Sequence, residues 1–258
     1  MGVEFTKVPQ PYDAVHFGIL AFIAAVCAAL FFVFRRLDEK KLIRIISILG
    51  AAMIACEIWK QFFVIKYVYN GVRSTWFFPW QLCSMAMYCS FALPFLKGRA
   101  QNAVLVFLSS FSLLAALMAL AVPDDMMRPQ ILLFCHSFLY HGIMVVESIA
   151  AMLILSRRKK APFGPAVLLF LAMAAVAELI NVISHRIIGD THVEANMFYI
   201  TPYYPSTQPV FHEIAVKWGV WAEILLYLGA IILASWGIYG IFLAIAAKSR
   251  RKEEIADR

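Results

Sequence analysis

Long apolar runs are the feature of this sequence that most restricts its fold. A bilayer core of about 30 Å is crossed by about 20 helical residues. Runs of this kind lie at residues 15–34, 43–67, 79–96, 101–122, 130–155, 164–188 and 213–247. Because 62% of the residues are apolar and only 15% are charged, a water-soluble core would leave too much apolar surface uncovered. We predict an all-α, polytopic membrane bundle of seven transmembrane helices, a single domain over residues 1–258.

Basic residues between the runs predict the orientation. Of the 23 Lys and Arg residues, sixteen lie on one side, for example Arg35 and Arg36 and the basic tail 248–258. The positive-inside rule places this side in the cytoplasm. The N-terminus is then outside, the C-terminus is cytoplasmic, and the cell membrane is the expected location. Since the basic clusters are short and lie at helix ends, their charge predicts topology and no nucleic-acid partner.

The outer side carries one long loop, residues 189–212, which is rich in Pro, Tyr, Asn and Thr. Long structured loops are often lids or binding loops, so this segment is a candidate lid or re-entrant cap. The five cysteines all fall within apolar runs without metal-ligand spacing. We therefore expect no disulfide, no metal site and no cofactor.

Polar residues within the runs gather in the outer half of the predicted bundle, judged from a helical rise of about 1.5 Å per residue. The inner half has almost no polar residues within the runs apart from Glu147. Ionisable groups in lipid are costly and usually face a cavity or each other. The pattern predicts an outer polar cavity, and internal ion pairs such as Glu57 with Lys60 are the alternative. Its candidate binding residues are Glu57, Gln81, Glu178, Asn181 and His185.

Cys83 is the candidate nucleophile, because it lies near the start of the third run, where the helix dipole favours a thiolate. A histidine from the fifth run would complete a Cys–His pair for acyl transfer. His136 matches the depth of Cys83 better, and His141 lies deeper. The alternative is that Cys83 is an inert small apolar side chain and that each histidine bonds a neighbouring helix.

Three short motifs resemble those of the YwaF-like integral membrane proteins. FPWQLC at 78–83 resembles that family's LPxxLC helix start, FCHSFLYHG at 134–142 its paired-histidine helix, and ANMF at 195–198 its NYMFL element. Eukaryotic relatives of that family are regarded as cysteine-dependent phospholipid acyltransferases. The resemblance implies that Cys83 holds an acyl group as a thioester, that His141 or His136 is the base, and that Asn196 orders the outer loop or contacts a head group. Gln81 departs from the pattern, since many members have His there.

Together these features predict acyl transfer on, or hydrolysis of, a membrane lipid ester. Membrane lipids are the expected partners, Gln81 and Asn181 are candidate donors to the oxyanion, and the oligomeric state is left open. The alternative is a non-catalytic transporter or binding protein for a small polar solute or lipid head group. In that case the important residues would be Glu57, Glu178, His185 and Lys217.

Overall fold

The computed structural model describes residues 4–68, 75–158, 161–189 and 194–256, with side chains up to residue 248. Over these residues the fold is all-α, without a β-strand, as predicted. The helices, numbered in chain order, are α1 (Ala14–Phe34), α2 (Glu39–Tyr67), α3 (Leu82–Phe95), α4 (Gly98–Ala121), α5 (Ile131–Arg157), α6 (Gly164–Ile188), α7 (Phe211–Trp218) and α8 (Val220–Ala256). Lys159 and Lys160 of the predicted basic loop, and residues 190–193 of the outer loop, lie outside the described residues.

Among the described residues, six helices are long and apolar enough to cross a membrane: α1, α2, α4, α5, α6 and the Val220–Lys248 part of α8. The predicted third span, 79–96, corresponds to α3, which is shorter than eighteen residues. It is short because the backbone is still extended at Gln81, with ψ 160°, and turns helical only at Leu82. The count of seven spans and the orientation therefore stay predictions.

The last predicted span, 213–247, is two helices rather than one. The chain breaks at Gly219, whose φ of +89° is a conformation that side chains with a Cβ rarely adopt. The break separates the short α7 from the long α8, and α8 continues through the predicted basic tail to Ala256.

The core of the bundle is built around α4. Of its apolar window, 67% is buried, against 11% for α1, so α1 presents most of its surface outward. Phe111 stacks on Phe107 and Phe170 with ring centroids 5.5 and 4.8 Å apart. Gly50 of α2 lets that helix approach α3 closely, since a Cβ added there would lie 2.6 Å from the backbone nitrogen of Phe91.

The basic end of the bundle is held together by two arginines at the end of α5. Arg158 donates to Gln101, Asn102 and Glu39, which joins α5 to the starts of α4 and α2. Arg157 donates to two backbone carbonyls of the α1–α2 connection. This network fixes the relative positions of the helix ends at this side.

Candidate functional site

The outer connection between α6 and α7 turns back into the protein. Within residues 194–201, seven are at most 2% exposed: Glu194, Ala195, Asn196, Met197, Phe198, Ile200 and Thr201. We call residues 194–201 the inserted loop. Non-helical backbone of this kind must be buried in protein with its polar groups satisfied if it lies at membrane depth. The hydrogen bonds of this loop therefore decide how the site is built.

Gln81, just before α3, uses both ends of its amide to hold the inserted loop. Its Nε2 donates to the Asn196 carbonyl at 2.9 Å, and its Oε1 accepts from the Phe198 N–H at 2.8 Å. A predicted binding residue is thus bonded to the backbone of the loop. A side-chain amide can do this because it carries both a donor and an acceptor.

Asn181 of α6 makes a second clamp of the same kind. Its Nδ2 donates to the Met197 carbonyl at 3.1 Å, and its Oδ1 accepts from the Met197 N–H at 2.6 Å. Asn196 closes the loop on itself, since its Oδ1 accepts from the Thr201 N–H at 3.1 Å. This bond links two positions five residues apart within the loop.

The start of the loop is bound to the last turns of α6. The Ala195 N–H donates to the Ser184 hydroxyl at 2.7 Å. His185 lies 2.9 Å from a Glu194 carboxylate oxygen through its Nδ1, and its ring stacks on Tyr203 at 3.6 Å. These bonds place His185 at the edge of the loop.

Two residues of the loop have a backbone conformation that is strained for them. Phe198 and Tyr199 have φ of 58° and 57°, in the left-handed region. Non-glycine residues there cost about 1–2 kcal/mol each. The Gln81 and Asn181 clamps hold the backbone on either side of Phe198, so they offset this cost.

Cys83 lies in the first turn of α3, two residues after Gln81, and is half-buried. Its electrostatic neighbours come from four parts of the chain: Lys60 of α2, Tyr140 of α5, Tyr199 of the inserted loop and Tyr227 of α8. Electrostatic interactions therefore link the thiol to one cation and three phenols. Among the described residues, no hydrogen bond joins this thiol to an imidazole.

Lys60 is the charged centre of this neighbourhood. Its ammonium is 2.7 Å from the Glu57 carboxylate, and both side chains are largely buried. Gln61 donates to the same carboxylate oxygen at 2.6 Å and to the Phe77 carbonyl at 2.5 Å. The ion pair named above as the alternative for Glu57 is thus present. Its cation interacts with Cys83, His136 and His141 alike.

The two histidines of α5 have different surroundings. His141 places Nδ1 2.7 Å from the Ser137 carbonyl. Since a carbonyl can only accept, Nδ1 carries the hydrogen and Nε2 keeps its lone pair, the form that a general base needs. The His136 ring stacks on Tyr140 at 5.6 Å and lies tilted against Trp59 at 6.0 Å. Its Nε2 is buried and has no hydrogen-bond partner among the described residues.

A small cavity separates α2 from α5 beside His136. Its volume is about 10 Å³ and its lining residues are Met53, Cys56, His136, Leu139, Tyr140 and Ile143. A space of this size is close to the smallest that admits one water molecule.

Sequence reasoning did not select Lys60 or Tyr140 as site residues. The Tyr140 hydroxyl is buried, has no hydrogen-bond partner in the described part of the chain, and interacts electrostatically with both Cys83 and Glu57. Lys60 had a detectable signal, because a lysine within an apolar run is costly unless it is paired or functional. The sequence carries no comparable signal for Tyr140, because a tyrosine in an apolar helix is an ordinary packing residue.

The residues of the transporter alternative are dispersed. Glu57 pairs with Lys60 on α2, and His185 with Glu194 at the edge of the loop. Glu178 lies on α6 with one buried oxygen unbonded, and Lys217 is exposed on α7. Over the described residues, three or more His, Cys, Asp or Glu side chains do not cluster in a way that could hold a metal ion.

The helix order, the buried loop and the Cys83 neighbourhood lie within the region matched by one protein-family model. The model of the TMEM164 family matches residues 11–240. The chain belongs to the TMEM164 family. This membership and the six apolar helices confirm a multi-pass membrane protein. The YwaF-like resemblance and the cell-membrane location stay predictions for this TMEM164-family protein.

No curated protein and no solved structure matched this TMEM164-family chain. The arrangement of its site is therefore read from its own residues.

Proposed function

We propose that this protein is a lipid acyltransferase or lipid esterase in which Cys83 is the nucleophile and His141 the general base. The observation that carries the proposal is that Lys60 interacts electrostatically with the candidate nucleophile and with both candidate bases. Its ammonium interacts with Cys83, His136 and His141, so the thiol and both imidazoles belong to one charged neighbourhood.

His141 is the better candidate base because its tautomer is fixed. The Ser137 carbonyl accepts from Nδ1, which leaves the Nε2 lone pair free to accept the thiol proton. Hydrogen bonds between catalytic groups are commonly long before substrate binds, so the absence of a direct bond in the described structure is compatible with this role.

The reaction has two balanced steps. In the first, Nε2 of His141 takes the proton of Cys83 while Sγ bonds to the acyl carbon of a lipid ester. The ester C–O bond then breaks, and the imidazolium returns the proton to the leaving oxygen. In the second, a lipid hydroxyl or water attacks the thioester, gives its proton to His141 and releases the thiol, which regains it.

We assign the hydrogen bond to the oxyanion to Tyr140, in place of Gln81 and Asn181, which are the candidate donors from the sequence. Both amides are bonded to the backbone of the inserted loop. The Tyr140 hydroxyl makes no hydrogen bond to a described residue and interacts electrostatically with Cys83. A fixed donor to the developing oxyanion contributes about 10²–10³-fold in rate.

The test is acyl transfer by purified protein in lipid nanodiscs, with a phospholipid carrying a labelled acyl chain. We expect a hydroxylamine-sensitive acyl adduct on Cys83 by mass spectrometry. Cys83→Ala should lose both adduct and turnover. Cys89→Ala, a buried cysteine of the same helix, is the matched control and should retain both.

A second comparison tests which of the two histidines is the general base. His141→Gln should lower the rate of adduct formation by about 10²–10⁴-fold, and His136→Gln should lower it much less. An unchanged adduct and unchanged turnover in Cys83→Ala would overturn the proposal.

A further inference from the structure

A second site lies at the other end of α3, away from Cys83. It is an open groove of about 370 Å³ lined by Lys40, Ile43, Arg44, Ser47, Ile48, Pro94 and Gln101. We call it the basic-end groove. Pockets of about 300–1,000 Å³ are the usual size for small-molecule sites.

The charges around the groove are unbalanced. Two acids are nearby in sequence, and both are engaged by other cations. Glu39 is bonded to Arg158. Asp38 caps α2 by accepting from the Lys41 N–H at 2.8 Å, which lowers the pKa of this carboxyl, and it pairs with the Lys41 ammonium at 3.3 Å.

Lys40 and Arg44 have no ion-pair partner within the part of the chain that the structure describes. They are one helical turn apart on α2 and both line the groove, so their two positive charges face the same space.

The polar side chains at the floor of the groove already have hydrogen-bond partners. Gln101 donates to the Leu93 and Leu96 carbonyls at 3.3 and 2.9 Å and accepts from Arg158. The Ser47 hydroxyl lies 3.5 Å from the Phe91 carbonyl. A ligand in this groove would therefore be recognised by the charges of Lys40 and Arg44, because Gln101 and Ser47 already bond to protein groups.

The remaining walls are apolar and open outward. Ile48 lines the groove and is 60% exposed. Phe91 does not line it, but it lies next to Ser47 and is 45% exposed. A groove that combines two cations with an apolar exit at the end of apolar helices suits a molecule with an anionic head and a hydrocarbon tail. A free phosphate would use only the charges.

We propose that the basic-end groove binds the head group of an anionic phospholipid, with its phosphate between Lys40 and Arg44 and an acyl chain along Ile48 and Phe91. This site is independent of the acyl chemistry proposed at Cys83. A basic residue near a membrane surface contributes about fivefold to binding of anionic lipid, so the pair contributes roughly 25-fold.

The test is native mass spectrometry of detergent-purified protein titrated with phosphatidic acid or phosphatidylcholine of the same chains. The variants are Lys40→Gln/Arg44→Gln and the matched control Lys97→Gln/Arg99→Gln, which removes two exposed charges outside the groove. We expect the wild type and the control to retain phosphatidic acid preferentially, and the groove variant to lose this preference by roughly 25-fold.

Equal loss in both double variants would mean general surface attraction and would overturn the site. An equal increase in unfolding temperature with glycerol 3-phosphate and with phosphatidic acid would show recognition of the phosphate alone and would overturn the lipid assignment. Arg44→Glu is a second variant. It should abolish the preference, and a retained preference in protein with wild-type unfolding temperature would contradict the proposal.

Discussion

The Asn181 clamp gives the sharpest test of how the inserted loop is held. Replacement by Leu, which has a similar volume, removes the donor to the Met197 carbonyl and the acceptor for the Met197 N–H. Both backbone groups lie in a residue of 0% exposure, so water cannot replace the lost bonds. Each unsatisfied buried group costs about 1–3 kcal/mol, which predicts a loss of about 2–6 kcal/mol in the free energy of unfolding.

The assay is thermal unfolding of purified Asn181→Leu in detergent, together with hydrogen exchange of the inserted loop. At about 2–4 °C per kcal/mol for a chain of this size, we expect the unfolding temperature to fall by at least about 4 °C. The Met197 amide should also exchange faster. Leu179→Ala, on the same helix and 58% exposed, is the control and should change stability by less than about 0.5 kcal/mol. An Asn181→Leu protein that matches this control in both measurements would refute the reasoning.

Three further predictions concern single positions. Gly50→Ala should lower the free energy of unfolding by about 1–3 kcal/mol, since its Cβ would lie 2.6 Å from the Phe91 nitrogen. Gly229→Ala, which meets open space within 4 Å, should not lower it, and equal unfolding temperatures would contradict the close approach. Val210→Gly should raise the free energy of unfolding by about 1 kcal/mol, because Val210 is exposed with φ 70°. A lower unfolding temperature would count against strain there. Tyr140→Phe should reduce acyl transfer by about 10²–10³-fold without lowering the unfolding temperature, since its hydroxyl has no partner. Unchanged turnover would remove it from the mechanism.

Several features of the site were predictable because they depend on neighbouring positions in the chain. Glu57 and Lys60 are three residues apart, a spacing that brings two side chains together on one helix, and they do form an ion pair. The loop at 189–212 is long and rich in turn residues, so a structured cap was a reasonable expectation. Residues 194–201 of this loop are buried apart from Tyr199, whereas Tyr203 and Val210 further along it are exposed.

The uses of Gln81, Asn181 and His185 were not predictable in the same way. A polar side chain in an apolar run signals that it needs a partner, but the sequence does not say whether the partner is substrate or backbone. Here the partners are residues of the inserted loop, more than a hundred positions from Gln81 in the chain. Such pairings depend on how the helices pack.

The sequence by itself determined that this chain is an all-α membrane protein, because the length and hydropathy of a helix are local properties. It also limited the chemistry to a small set of Cys, His and acidic side chains. Only the tertiary structure decided that α3 is short, that the last predicted span breaks at Gly219, and that Lys60 is a common neighbour of Cys83 and both histidines. These facts depend on contacts between helices far apart in the chain, and such contacts are fixed only when the apolar faces pack together.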